Sequence, residues 1–254
     1  MWRERLARAA SRRGTLAQSD ETTAFRLANE GADGLPRGVT VDAYGPYAVV
    51  HSHDAAGHAP YLDPLLEALE ALGVRGSYVK HHPRGASTLA DPSRDDVAPS
   101  RPARGLEAPD PLWVREAGLP LLCRLNAGLA TGLYLDQRDN RARVRAAAAG
   151  RSVLNLFAYT GAFSVAAAAG GARRTTTVDV SRPALAWAAE NLQASGFADE
   201  KQHRVVRDDA LVFLRRAAVR GDRYDLIVLD PPSFATTKAS RFVAESDLGT
   251  LVAS

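Results

Sequence analysis

The chain has 254 residues, of which 46% are hydrophobic and 24% charged, and a formal net charge of +3. That composition provides enough apolar material for one large or two small cores and excludes a disordered or fibrous chain. With no apolar run of about 18 residues and no apolar stretch in MWRERLARAASRRG, neither a membrane span nor a secretory signal is expected, and a cytoplasmic location follows as the default. The lone Cys123 excludes an intrachain disulfide and a cysteine-built metal site.

Residues 1–24 read as a basic N-terminal helix or arm, the first thirteen as an amphipathic helix. Arg3, Arg5, Arg8, Arg12 and Arg13 face only Glu4 as local acid, and Trp2, Leu6 and Ala9 fall on one side at helical spacing. Residues 25–125 read as a small α+β domain. In it, GVTVDAYGPYAVVHSH places two apolar runs around a turn at residues 43–46, predicting a β-hairpin. Leu62, Leu65, Leu66, Leu69 and Leu72 predict a helix from Pro60 to Leu72, and residues 76–81 a short strand. Residues 84–111, rich in Pro, Ser, Asp and Arg, read as an exposed, mobile loop. LWVREAGLPLLCRL then predicts a second hairpin, with Cys123 as a small core hydrophobe. The group His51, His53, Asp54 and His58 reads as structural, because spacing alone does not orient metal ligands.

Residues 126–254 carry a second arginine cluster, Arg138, Arg141, Arg143, Arg145 and Arg151. An alternation of strands and helices follows: strands in SVLNLFA, RTTTVDV, HRVVRDD and YDLIVLD, with helices in AFSVAAAAGG, SRPALAWAAENLQASG and ALVFLRRAAV between them. Ser181 reads as an N-cap, with Pro183 in the first turn and Gly196 past the end. Such alternation predicts a Rossmann-like parallel sheet.

Asp179, Asp208/Asp209 and Asp230 each close one of these strands, and right-handed crossovers bring all these ends to one edge of the sheet. The loop after the first strand, NLFAYTGAFS, has the single glycine Gly161 and lacks the G-x-G-x-x-G fingerprint, so a pyrophosphate cradle is not expected. Asp179 suits a ribose, whose two hydroxyls a carboxylate can accept, and Asp209 suits an adenine amino group. A nucleoside without phosphates needs nothing more, and S-adenosylmethionine is such a ligand. In DLIVLDPPSF the two prolines stop the strand at Asp230 and leave a stiff edge beside the ring of Phe234.

NLFAYTGAFSVAAAAGG, TVDVS, ALAWAAENL, VVRDDA and DLIVLDPPSF together resemble the successive motifs of class I S-adenosylmethionine-dependent methyltransferases. TGLYLDQRDNR and LANEGADGLPRGVTVDAYGPYAVV are similar to one subgroup, the large-subunit (23S) ribosomal RNA methyltransferases acting on cytosine C5 or guanine N7. The resemblance implies an enzyme that transfers a methyl group from S-adenosyl-L-methionine to an RNA base. It implies that Asn155, Phe157, Tyr159, Thr160 and Gly161 line the methionine side of the cofactor, that Asp179 holds the ribose and that Asp209 holds the adenine. Gln137 and Arg138 would hold the cofactor's tail or the RNA. Asp230, Pro231, Pro232 and Phe234 would hold the target base at the catalytic centre, with Asp230 also bordering the cofactor.

The family's sheet has about seven strands. The sequence is therefore expected to show it cut after strand four with an exposed edge, the chain being either a fragment or a protomer whose core is completed against a second copy. In the family's C5 enzymes the cysteine nucleophile lies beyond that point. A cofactor- or RNA-binding module without turnover, and a methyltransferase with a non-RNA substrate, are the alternatives.

Overall fold

The computed structural model describes residues 1–83 and 94–232, and the backbone of two short strands at 234–236 and 241–243. The chain forms two compact units, Met1–Leu135 and Asp136–Ser254. The division falls at residue 135 rather than before Asn126, and the basic N-terminal segment belongs to the first unit instead of standing apart as an arm.

The first unit is built on a five-stranded sheet in the order β1 (Ala24–Ala28), β2 (Val39–Tyr44), β3 (Tyr47–Ser52), β4 (Gly76–His81) and β5 (Arg104–Gly105). The β2–β3 hairpin turns where the sequence places it. β3 and β4 run parallel, joined by helix α2 (Ala55–Ala71). α2 starts five residues before the helix expected at Pro60, because the Asp54 carboxylate caps it by accepting from Gly57 N at 3.0 Å. Two prolines inside the helix, Pro60 and Pro64, are tolerated while Leu65, Leu66, Ala68 and Leu69 are buried on its inner face. Helix α1 (Trp2–Arg12) packs beside it: Leu6 and Ala9 join Leu27, Val41, Val50, Leu65 and Val79 in one core.

The other sheet face is polar and equally closed. Tyr44 Oη meets Thr131 Oγ1 at 2.8 Å, and the Tyr78 hydroxyl accepts from Ala108 N at 2.9 Å. The hairpin β6 (Leu112–Glu116) and β7 (Leu119–Cys123) forms as expected, with Cys123 fully buried. Of the expected mobile loop, residues 84–93 lie outside the described residues, but 94–111 are held in place. Val97, Ala98 and Ala108 are buried, and Val97 O, Ala103 N and Leu106 N bond His81 N, Ser77 O and Arg75 O at 2.7–2.8 Å. The edge of β4 supplies the partners that a Pro- and Ser-rich composition does not advertise.

Lys80 has no exposed surface, and its ammonium donates to the carbonyls of Gly128 and Leu129. Burial pushes its pKa down from 10.5 to about 8. The unfolded chain therefore holds this proton up to about pH 10.5 and the folded chain only to about 8, so stability from this group rises with pH across that window. Wild type minus Lys80→Met stability, measured in urea, is expected to grow by about 3 kcal/mol between those limits.

The second unit is a four-stranded parallel sheet ordered β10 (His203–Arg207), β9 (Arg174–Asp179), β8 (Ser152–Leu156), β11 (Leu226–Leu229). The four strands and three intervening helices are those the sequence predicts: α4 (Ala162–Ala169), α5 (Arg182–Ala194) and α6 (Ala210–Arg220). Ser181 caps α5 by accepting from Ala184 N at 3.3 Å. Phe213 and Ala217 of α6 pack on Leu154, Leu156 and Val178, while Ala167 of α4 packs with Val153 and Val228. Helices on opposite faces make this a doubly wound α/β sheet. Helix α3 (Arg138–Ala147) precedes it and was not expected, because only Arg141 of its residues is buried and no apolar period marks it. Two short strands, β12 (Phe234–Thr236) and β13 (Arg241–Val243), pair antiparallel after β11. No helix among the described residues is long and apolar enough to cross a membrane.

Candidate active site

The strand order of the second unit reverses at β8. The carboxyl ends of β8 and β11 therefore flank a topological switch point, the place where open α/β sheets bind ligands. Both stretches carry sequence-predicted site residues.

After β8 the chain enters a loop with three left-handed residues: Phe157 at φ +55°, Tyr159 at +49° and Gly161 at +73°. Two of these are bulky, a conformation that costs about 1–2 kcal/mol each and persists only when the surroundings impose it. Here they do. Ala158 N donates to Val178 O at 3.0 Å, Tyr159 N donates to Asp179 Oδ2 at 2.8 Å, and the buried Asn191 of α5 donates its amide to Thr160 O at 2.9 Å. Gly161 lies so close to α5 that an added Cβ would stand 2.8 Å from Ala188 Cβ. Gly161→Ala combines this overlap with the cost of a left-handed φ for a residue bearing a Cβ, and a stability loss of about 3 kcal/mol is expected in chemical denaturation.

Asn155 and Thr160 are almost wholly enclosed, 1% and 2% exposed. Asn155 ties β8 to α4: its amide donates to Ser164 Oγ at 3.0 Å, and Thr177 Oγ1 donates to the same oxygen at 2.7 Å. Its own Oδ1 is buried without a hydrogen-bond partner among the described residues.

Asp179, at the end of β9, organises the neighbouring turns. Oδ2 accepts from Tyr159 N and Oδ1 from Ser181 N, each at 2.8 Å. A carboxylate has about four lone-pair positions, so two amide bonds leave capacity for a diol. Asp208 and Asp209 divide their work. Asp208 pairs with Arg216 at 2.9 Å and accepts from Asp209 N, whereas Asp209 caps α6 by accepting from Leu211 N and Val212 N at 3.0 and 3.2 Å.

Asp230 follows β11, and its surroundings come from the turn that enters α3 and from the helix's first residues. Asn140 Nδ2 donates to Gln137 Oε1 at 2.7 Å, which fixes that amide so that Gln137 Nε2 donates to Asp230 Oδ1 at 3.3 Å. Burial raises the Asp230 pKa above the usual carboxylate value, the neighbouring Asp136 raises it further, and Arg141 acts in the opposite direction. Gln137 therefore serves Asp230, while Arg138 pairs with its neighbour Asp139 at 3.3 Å. Asp136, Asn140, Arg141 and Asn191 belong to the site without having been singled out for these parts. Their signal was the spacing of Gln137, Asn140 and Arg141, three and four residues apart on a helix, which aligns them on one face. Pro231 is half-buried and Pro232 exposed; the side chain of Phe234 lies outside the described residues.

The donor set fits a nucleoside without phosphates. In this loop one glycine lets backbone come close, and the acids at the ends of β9 and β10 suit hydroxyl and amino groups.

Comparison with known proteins agrees. YwbD of Bacillus subtilis (strain 168) is 37% identical over 249 residues, covering 98% of this chain and 61% of YwbD. Ribosomal RNA large subunit methyltransferase I of Cronobacter sakazakii is 37% identical over 237 residues, covering 92% of this chain and 58% of that protein. The chain thus spans about three fifths of the length of these relatives. The crystal structure of SMU.776 complexed with SAH superposes with a TM-score of 0.86 at 33% identity, over 99% of this chain and 62% of that one. The family described as S-adenosylmethionine-dependent methyltransferase matches residues 93–252, from the segment laid along β4 to beyond β13, and the chain belongs to that family.

Proposed function

We propose that this chain binds S-adenosyl-L-methionine at the carboxyl edge of β8, β9 and β10 and transfers its methyl group to a base of RNA, most plainly large-subunit ribosomal RNA. The observation that carries the reading is the convergence, in a member of this family, of a strained β8–α4 loop, the carboxylate that pins it and the half-buried Asp230 on one switch point. The relatives named as large-subunit ribosomal RNA methyltransferases support the substrate. An RNA of that kind is met in the cytoplasm.

When bound, the cofactor would supply an activated methyl group on a sulfonium. The protein's part is then to bind, orient and exclude water. Asp179 would accept from the ribose while holding Tyr159 and Ser181, and Asp209 would lie at the adenine side. The backbone and rims of Phe157, Tyr159, Thr160 and Gly161 would shape the methionine end, with Asn155 bracing them from behind. Asp230, kept in place by Gln137 and Asn140, would accept from an N–H of the base, with Pro231 and Pro232 as a stiff rim and Phe234 as its stacking face. Arg138 would reach the RNA.

The test is methylation of purified large-subunit ribosomal RNA with tritiated S-adenosylmethionine. Tritium in one nucleotide, absent with Asp230→Asn, is expected. A chain that binds the cofactor yet labels no RNA would favour a non-catalytic or non-RNA reading.

A further inference from the structure

Helix α1 divides its residues between two environments. Leu6 and Ala9 are buried in the core of the first unit, and Trp2 and Ala10 pack against the same cluster. Its apolar side is thereby used up, so it has none left to lie in a membrane interface as a free amphipathic helix would. On the outward side, Arg5, Arg8 and Arg12 follow one another at successive turns and, with Gly31–Gly34, line a cavity of about 250 Å³.

The one acid in that cavity is already satisfied. Asp33 takes bonds from both Arg13 nitrogens at 2.8 and 2.7 Å and from Asn29 N at 2.8 Å, with Arg12 at 3.4 Å. The Arg13 guanidinium thus holds its carboxyl below the usual range. Arg5 lies across the loop, donating to Gly34 O at 2.7 Å, and an added Cβ at Gly34 would stand 3.3 Å from Arg5 Cδ. Arg8 is exposed and makes no hydrogen bond or ion pair among the described residues. The cavity is therefore a cationic recess whose central charge is uncommitted.

From Arg5 to Arg12 the helix advances about 10 Å, longer than a single phosphate group. Planar guanidinium groups spaced over that length match consecutive phosphates of a polynucleotide better than a lone anion. We infer that Arg5, Arg8 and Arg12, against the Gly31–Gly34 loop, form a seat on the first unit for the sugar-phosphate backbone of RNA. The inference rests on the RNA reading given above and adds a place where that RNA is held without reading its bases.

The experiment uses the whole chain with a fluorescently labelled hairpin RNA, measured by anisotropy over a range of salt concentrations, for wild type, Arg8→Ala and Arg8→Glu. Because the Arg8 side chain has no partner among the described residues, both variants should unfold at the wild-type temperature. Arg8→Glu is expected to weaken RNA about tenfold, and Arg8→Ala to lower the salt slope by about one. Wild-type affinity and slope in both variants would overturn the seat while leaving the RNA reading intact. A wild-type chain that binds no RNA would overturn both. Loss of binding to phosphatidylglycerol vesicles in Arg8→Glu, with RNA affinity unchanged, would make the recess a lipid-headgroup site and overturn the proposal.

Discussion

Asp230→Asn is expected to lower methyl transfer about 100-fold or more while leaving the fold intact. The carboxylate is placed at the switch point by β11, stopped there by Pro231 and Pro232, and held by Gln137, itself oriented by Asn140. Removing one preorganised hydrogen-bonding group from a reacting centre typically costs 10²–10³ in rate. Stability should move the other way. The Asp230 pKa is raised in the fold, so its charged form is disfavoured there, and its contribution to stability is lost as pH rises from the ordinary carboxylate value through the raised one. An uncharged amide escapes that penalty above the raised pKa and can still accept from Gln137. Rate falling with the unfolding midpoint unchanged or higher is the expected pair of results; equal losses of activity and stability would mean that Asp230 is a structural residue.

Asp179→Ala should act on the cofactor and on the loop together. Its two oxygens satisfy Tyr159 N and Ser181 N, and stranding one partly buried amide costs about 1–3 kcal/mol. With the proposed ribose contacts also gone, affinity for S-adenosylhomocysteine is expected to fall about 100-fold, equivalent to about 2.7 kcal/mol. The Phe157 and Tyr159 conformations, which Asp179 helps to impose, should relax, giving faster amide exchange from Ala158 to Gly161. Asp179→Asn keeps one acceptor oxygen and should fall between. Equal cofactor affinity in wild type and alanine variant would remove Asp179 from the site.

The parts of the structure that repeat a local rule were legible in the sequence. Val153–Leu156 and Leu226–Leu229 read as strands because apolar-rich runs between breakers have few other solutions, although β11, expected to be buried, lies at the sheet edge and leaves Ile227 exposed; Ser181 and Gly196 mark their helix ends by capping chemistry. The acids at strand ends were legible for the same reason: parallel topology brings such ends to one edge. What escaped depends on contacts between distant residues. Helix α3 buries Arg141 over the ring of Phe163, so no apolar stripe announces it. The motif assigns Gln137 to the cofactor or RNA, and its bond to Asp230, set by Asn140, is visible only once α3 exists. Asn191 supports Thr160 from 31 residues away. Residues 94–108 have a loop's composition and gain order from the edge of β4.

The proposed methyl transfer requires a working cofactor site at the carboxyl edge of β8, β9 and β10 in this chain. Isothermal titration of S-adenosylhomocysteine into the wild-type protein tests it directly. One molecule bound per chain, with saturable heat, is the predicted result. A cooperatively folded chain that gives no heat and no shift of its unfolding midpoint at millimolar ligand would contradict it.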